Sequence, residues 1–175
     1  LVLPGGAVNG GCPYPNGSDT SIFTYSCATT ADSIDVRKIV VTDTSGKPLY
    51  PIDPRKAFIL DLQSFNNGVE IQDNHVEVHV FEYMKGWASS DCHWQELPTF
   101  GLLGNIDGCE FAHNCPLTKG ELSLKIKLDL SSFSAIISLL SKDTPLQLSI
   151  RMRNYNPGDT KHEEIACVVA QLHVN

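Results

Sequence analysis

Residues 121–130 alternate between aliphatic and polar side chains with a period of two. Each even position from 122 to 130 is Leu or Ile, and the odd positions are Glu, Ser, Lys, Lys and Asp. Successive side chains of a strand point to opposite faces, so this pattern predicts a β-strand with one solvated and one aliphatic face. An aliphatic face of this kind needs a partner layer, as in an antiparallel sandwich or barrel.

The same period of two recurs elsewhere in the chain. Residues 146–153 and 75–84 each place aliphatic side chains on one face and polar side chains on the other, and 58–62 does so over a shorter stretch. Further strands are expected near 21–27, 36–42 and 164–174. Gly, Pro, Asn and Asp clusters separate these runs, and the sequence therefore predicts an all-β fold.

Helical spacing is nearly confined to residues 131–141, between the two clearest strands. Phe133, Ile136, Ile137 and Leu140 would share one face of a helix there. A connection between strands is normally polar, so this apolar stripe has two interpretations. It is either a short helix packed on the sandwich or a lid that touches a membrane.

Length and composition favour a single domain. A chain of 175 residues is long enough to enclose one core. Residues 1–20 are rich in Gly, Pro and Asn without apolar periodicity, so we expect an N-terminal arm held by Cys12, followed by one domain over 21–175. Asn16-Gly17-Ser18 is an acceptor sequence for N-glycosylation.

Charge and motifs argue against several function classes. The formal net charge is −7, so nucleic acid is not an expected partner. The sequence contains no run of about 18 apolar residues, so no membrane-spanning helix is predicted. Without a nucleophile elbow, Walker loop or dinucleotide fingerprint, we expect neither enzymatic activity nor a cofactor. His75, Glu77 and His79 share a strand face, which we interpret as solvated, and no metal site is expected.

Six cysteines without a CxxC pair predict a disulfide framework. Such a framework is typical of chains that fold in an oxidising compartment. By count and spacing alone, the connectivity stays open.

The segment from Gly108 to Gly120 joins two close cysteines, a Cys-Pro pair and a Lys-Gly turn that leads into the clearest strand. An early cysteine, Cys27, follows Phe23 and Tyr25, and a late one, Cys167, lies in an apolar run near the C-terminus. In this combination, over about residues 21–174, the chain resembles the MD-2-related lipid-recognition (ML) domain family.

The resemblance implies an immunoglobulin-like antiparallel β-sandwich with an apolar cavity between its sheets and one short helix or lid loop. It also implies disulfides between Cys27 and Cys167 and between Cys109 and Cys115, with Cys12 and Cys92 as the remaining pair.

The aliphatic strand faces are packed core in any sandwich, whereas the resemblance makes them the wall of a lipid cavity. Long aliphatic side chains without polar partners suit acyl chains. The expected wall residues are Phe58, Leu60, Val78, Val80, Leu122, Leu124, Ile126, Leu128, Leu148, Ile150 and Met152.

Two further loops are expected to join the 131–141 segment at the opening of that cavity. Trp87 is a candidate interfacial anchor, as is Trp94, although both have an ordinary interpretation as loop and core aromatics. Phe100, Leu102 and Leu103 lie in a Gly-flanked loop that forms a second lip or packs on the core. The expected lid or membrane-contact residues are Phe133, Ile136, Ile137, Leu140, Trp87, Phe100, Leu102 and Leu103.

Under the resemblance, we expect a secreted or lysosomal protein that binds and transfers phospholipid or glycolipid and contacts membranes peripherally. The lipid is its ligand, and no cofactor is implied. The alternative is a secreted protein-interaction module on the same fold, which serves a receptor or a hydrolase.

Overall fold

The described part of the chain forms nine strands and two short α-helices. The computed structural model describes residues 11–28, 33–88 and 90–175, and at Leu124 and Lys125 it describes the backbone only. The strands are β1 Phe23–Ser26, β2 Ile34–Thr42, β3 Phe58–Asn66, β4 Asn74–Lys85, β5 Cys92–Glu96, β6 Ile106–Asp107, β7 Gly120–Leu128, β8 Leu146–Asn154 and β9 Glu164–Leu172. The helices are α1 Gly108–Ala112 and α2 Ser134–Ile137, with 3-10 turns at Pro15–Gly17 and Ser131–Phe133.

Two antiparallel sheets pack together as a sandwich. The first has the order β1-β9-β8-β4-β5, and β6 also pairs with β4. The second has the order β2-β3-β7. The predicted all-β sandwich is therefore confirmed. No helix among the described residues is long and apolar enough to cross a membrane.

The strands with clear alternation match their predicted ranges within a few residues. Three elements were not predicted. The strands β5 and β6 lie at the sheet edge, and β5 reads Cys-His-Trp-Gln-Glu without an aliphatic face. The helix α1 lies inside the cysteine hairpin, where the Asp107 side chain caps it by accepting a hydrogen bond from the Glu110 N–H at 3.0 Å.

Two clusters of buried side chains lie between the sheets. The larger one includes Phe58, Val80, Leu146 and Leu172. The smaller one lies towards the opposite ends of β7 and β8 and includes Ile71, Leu117, Leu122 and Ile165. The buried core is therefore divided into two clusters along the strands, and the middle of the interior lies between them.

All six cysteines are paired. The disulfides are Cys12–Cys92, Cys27–Cys167 and Cys109–Cys115, which are the pairings that the resemblance implies. Three disulfides in a chain of this size point to folding in an oxidising environment.

The described part of the expected N-terminal arm, residues 11–20, packs against the sandwich. Ser18 is fully buried, and the Tyr50 hydroxyl donates a hydrogen bond to its carbonyl. The Asn16 side-chain amide, in the glycosylation acceptor sequence, donates to Gln171 at 2.8 Å, while the residue as a whole remains exposed. Residues 1–10 lie outside the described part of the chain.

Candidate functional site

The predicted wall residues come from four strands in two facing sheets. In one sheet β3 and β7 pair so that Leu60 lies opposite Ile126, and in the other β4 and β8 pair so that Val78 lies opposite Ile150. Because side chains alternate along a strand, these residues share the inward faces. The Leu124 side chain lies outside the described part, although its backbone pairs with Leu62.

Burial is uneven along these inward faces. Phe58, Val80 and Leu122 are 6%, 3% and 6% exposed, and Ile126 is also buried. The remaining wall residues with described side chains keep an intermediate exposure; they are Leu60, Val78, Leu128, Leu148, Ile150 and Met152. Ile150 belongs to neither buried cluster. The aliphatic surface of the interior is therefore only partly covered by other side chains.

A cleft opens at the side of the sandwich, between β6 and α1 on one edge and the end of β7 with the following 3-10 turn on the other. Its volume is about 630 Å³, and its lining includes the apolar Ile106 and Phe111 together with Lys127 and Asp129. Phe111 contacts Phe133 with ring centroids 5.6 Å apart in an edge-to-face arrangement. This pair joins α1 to the 131–141 segment at the margin of the cleft.

The 131–141 segment contains the predicted helix, shortened to the 3-10 turn and α2. Ile136 is 5% exposed and lies in the larger core cluster, and Phe133 and Leu140 pack against that cluster. Ile137 is half-buried and, with Leu140, lines a second cleft of about 260 Å³. Ile136 is therefore a core residue, which corrects its expected membrane contact, and the exposed apolar side chain of the segment is Leu139 at 41%.

Glu82 is a buried acidic residue that was not among the predicted site residues. It is 2% exposed on the inward face of β4 and accepts hydrogen bonds from Ser141, from the N–H at 2.6 Å and from the hydroxyl at 3.1 Å. Extending the alternation of Val76, Val78 and Val80 by one step would have placed Glu82 inside. Its contacts fix the C-terminal end of the 131–141 segment to the interior of the sheet.

The loop between β5 and β6 presents apolar side chains to solvent. Phe100 is 81% and Leu102 is 52% exposed, and Phe100 precedes Gly101 with both residues in the left-handed region. Leu103 is 8% exposed and packs in the core, which is the second of its two interpretations and not the expected lip, and its carbonyl accepts the Val78 N–H at 2.8 Å. A cleft of about 450 Å³ lies beneath this loop, against Val78 and Leu97.

The two tryptophans lie in different environments. Trp87 is fully exposed at the turn after β4. Trp94 lies on β5, where its ring packs against Tyr83 at 4.9 Å. Trp94 thus has the ordinary structural role, whereas Trp87 is free to contact another surface.

The outward face of β4 carries an ion-pair network. His79 lies between Glu77 and Glu96, at 2.5 Å from each carboxylate. The hydrogen bond that His79 donates to Glu96, followed by the one that it donates to Glu77, raises the pKa of His79, and the His79 contact in turn lowers the pKa of Glu77. His75 takes no part in this network and lies instead beside Asp73 and Asp107.

Comparisons with known proteins yield matches among solved structures alone. No protein-family model matches the chain, and no curated protein matches it. Among solved structures, the chain is similar to the crystal structure of the C-terminal domain of Wzt, with a TM-score of 0.41 and 8% sequence identity. That likeness covers 89% of this chain and 78% of the other.

Proposed function

We propose that this protein binds a lipid between its two sheets and transfers it between membranes. The observation that carries the proposal is the incomplete burial of the inward aliphatic face, where Leu60, Val78, Leu148 and Ile150 keep accessible surface inside a sandwich. Packed interiors leave few voids, so aliphatic surface of this extent favours an apolar ligand. Acyl chains match it because they need no polar partner.

The side cleft is the route by which a lipid reaches the interior in this proposal. It lies where the edges of the two sheets meet, and Ile106, which lines it, packs on the larger core cluster. Opening would separate Phe111 from Phe133. Charged groups at the cleft, including Lys127 and Asp129, remain outside and suit a polar headgroup.

Exposed apolar loops provide the membrane contact. Trp87, Phe100 and Leu102 are the most exposed of the predicted contact residues, and Leu139 adds one from the 131–141 segment. Aromatic and aliphatic side chains of this kind insert at bilayer interfaces.

The resemblance to ML domains supports the same proposal, and the segment from Gly108 to Cys115 resembles a cysteine-containing segment of the lysosomal ganglioside activator protein. Phospholipid and glycolipid are therefore the ligand classes that we propose. Three disulfides agree with the extracellular space or the lysosome as its location.

Lipid extraction from vesicles tests the proposal. The protein is mixed with phosphatidylcholine vesicles that carry a small fraction of ganglioside and is then separated by flotation, and lipid in the protein fraction is quantified. We expect stoichiometric extraction by the native protein and a loss of about tenfold in rate for Phe100→Asp combined with Leu102→Asp, since two apolar membrane contacts are removed.

Val69→Asp is the matched control, because Val69 is 64% exposed in the loop between β3 and β4, which contains none of the proposed contact residues. It should extract lipid at the native rate. Equal losses in both variants would refute the assigned membrane surface, and no extraction by the native protein would refute the lipid-carrier function itself.

A further inference from the structure

The pairing of β4 with β6 brings three potential metal ligands to one outward corner of the first sheet. His75 lies directly opposite Asp107 in the antiparallel register. Asp73 precedes His75 by two residues and so lies on the same side of the chain. One nitrogen of His75 and one carboxylate oxygen from each aspartate all lie within 4.8 Å of one another.

The three groups are close enough to share one ion. Divalent cations bind such ligands at about 2.0–2.4 Å, so two ligands of one ion lie at most about 5 Å apart, and the three atoms meet that limit. Among the ion pairs of the described residues, none involves Asp73, His75 or Asp107. Two neighbouring carboxylates therefore lack a cation.

Asp73 supplies an independent sign of a missing partner. Its Oδ1 atom is buried and has no hydrogen-bond partner. Buried polar atoms in folded proteins are nearly always paired, and an unpaired one calls for an ion or a water. The Asp73 backbone is held in place by two hydrogen bonds, from its N–H to Asn156 and from the Tyr155 N–H to its carbonyl.

The neighbours of the cluster fix its histidine and one of its carboxylates. The His75 Nδ1 lies 2.6 Å from the Asn105 side-chain oxygen, which selects the tautomer with a proton on Nδ1 and leaves a lone pair on Nε2. The His75 ring stacks on Tyr155 at 3.8 Å. Asp107 uses Oδ1 to cap α1, so its second oxygen remains for a ligand.

We propose that Asp73, His75 and Asp107 form a zinc site. An imidazole with two carboxylates is a borderline ligand set that favours Zn²⁺ over Ca²⁺, which prefers oxygen ligands alone. Three protein ligands leave a coordination position for water. The ion would link the chain before β4 to the cap of α1, the helix that begins the Cys109–Cys115 hairpin.

Isothermal titration calorimetry with Zn²⁺ on the chelator-treated protein tests the site. We expect one equivalent bound by the native protein and at least a tenfold weaker affinity in His75→Gln and in Asp107→Asn. Asp107→Asn is the more informative variant, because Asn also caps helices, so the substitution preserves α1 while it removes the negative charge. Asn105→Ala, which removes a positioning residue, should weaken binding by about 10- to 100-fold.

Glu121→Gln and His93→Gln are the matched controls, since they remove an exposed carboxylate and an exposed imidazole elsewhere. Both should bind Zn²⁺ as the native protein does, and Zn²⁺ should raise the melting temperature of the native protein and of these controls but not that of Asp107→Asn. The site is overturned if the native protein binds no Zn²⁺, if Asp107→Asn and His75→Gln bind it with native affinity, or if Ca²⁺ binds there in preference to Zn²⁺.

Discussion

Glu82 connects the inward face of β4 to the end of the 131–141 segment through its two hydrogen bonds to Ser141. We predict that Glu82→Ala lowers the free energy of unfolding by about 3 kcal/mol, since it removes two hydrogen bonds and leaves the Ser141 donors without their acceptor, at about 1–3 kcal/mol for each unpaired buried group. Glu82→Gln keeps one carbonyl acceptor and should lose about 1 kcal/mol. Urea denaturation followed by tryptophan fluorescence measures both, and equal losses would contradict an acceptor role.

His79 gives the molecule a specific pH dependence. Its pKa is raised by Glu96 and Glu77, so its stabilising contribution is complete below the unfolded value of about 6.5 and is lost as pH rises through the folded value. The lowered pKa of Glu77 means that its own contribution is present above about 4.5 and is lost as pH falls further.

His79→Gln should therefore lower the melting temperature at pH 5.5 and leave it nearly unchanged at pH 9. The ion pairs are partly exposed, so the difference amounts to less than about 1 kcal/mol. His93→Gln is the control, because the His93 ring bonds to Gln95 and a backbone carbonyl instead of a carboxylate. A loss of the same size at both pH values would contradict the ion-pair explanation.

At the scale of elements, α1 and the 131–141 segment meet through Phe111 and Phe133. A double-mutant cycle with Phe111→Leu and Phe133→Leu should give a coupling energy of about 0.5–1.5 kcal/mol, as expected for an edge-to-face aromatic pair. Denaturation of the two single variants and the double variant measures it. Additive effects would show that the two elements are not energetically joined across the cleft.

Sequence periodicity predicted the elements that have one polar and one apolar face. It found β7 and β8 because their faces differ sharply, and it missed β5, a short edge strand of Cys, His, Trp, Gln and Glu. The helix α1 has only five residues, too few to show a helical period, and depends on its cap and disulfide.

The sequence predicts which residues belong to the candidate site better than it predicts how exposed each of them is. Alternation identifies which side chains point inward, yet it cannot distinguish half-buried Ile150 from buried Leu146 on the same face. Likewise the helical stripe grouped Ile136 with Ile137, whereas packing buries the first more deeply. Both differences depend on which parts of the two sheets approach one another, which local sequence does not encode.

At the scale of the whole molecule, the long disulfide ties the end of β1 to β9, its neighbour in the first sheet, and so links the N-terminal and C-terminal strands of the domain. Cys27–Cys167 spans 140 residues and Cys109–Cys115 spans 6. Loop-closure entropy predicts that Cys27→Ala with Cys167→Ala costs about 5 kcal/mol, against about 2 kcal/mol for Cys109→Ala with Cys115→Ala. Guanidinium denaturation of each double variant measures the loss in free energy of unfolding. A larger loss for the Cys109–Cys115 variant than for the Cys27–Cys167 variant would contradict the idea that the long disulfide offsets an incompletely packed core.

Substitutions that fill the interior distinguish open space from packed core. Ile150→Phe adds volume beside the half-buried middle of the inward face and should leave the melting temperature within about 2 °C of the native value. Leu146→Phe makes a similar change in the buried end of the same strand and should cost about 1–3 kcal/mol through overpacking. Equal destabilisation by both would indicate a uniformly packed interior.

Native mass spectrometry of the protein from a secretory host tests lipid carriage most directly, with native and Ile150→Phe proteins measured side by side. A lipid carrier should leave the native protein with an adduct of lipid mass that organic extraction removes, and Ile150→Phe should carry much less of it at unchanged stability. Lipid binding between the sheets would be contradicted if the native protein has the mass of the lipid-free chain and also gains no adduct after incubation with phospholipid and ganglioside vesicles.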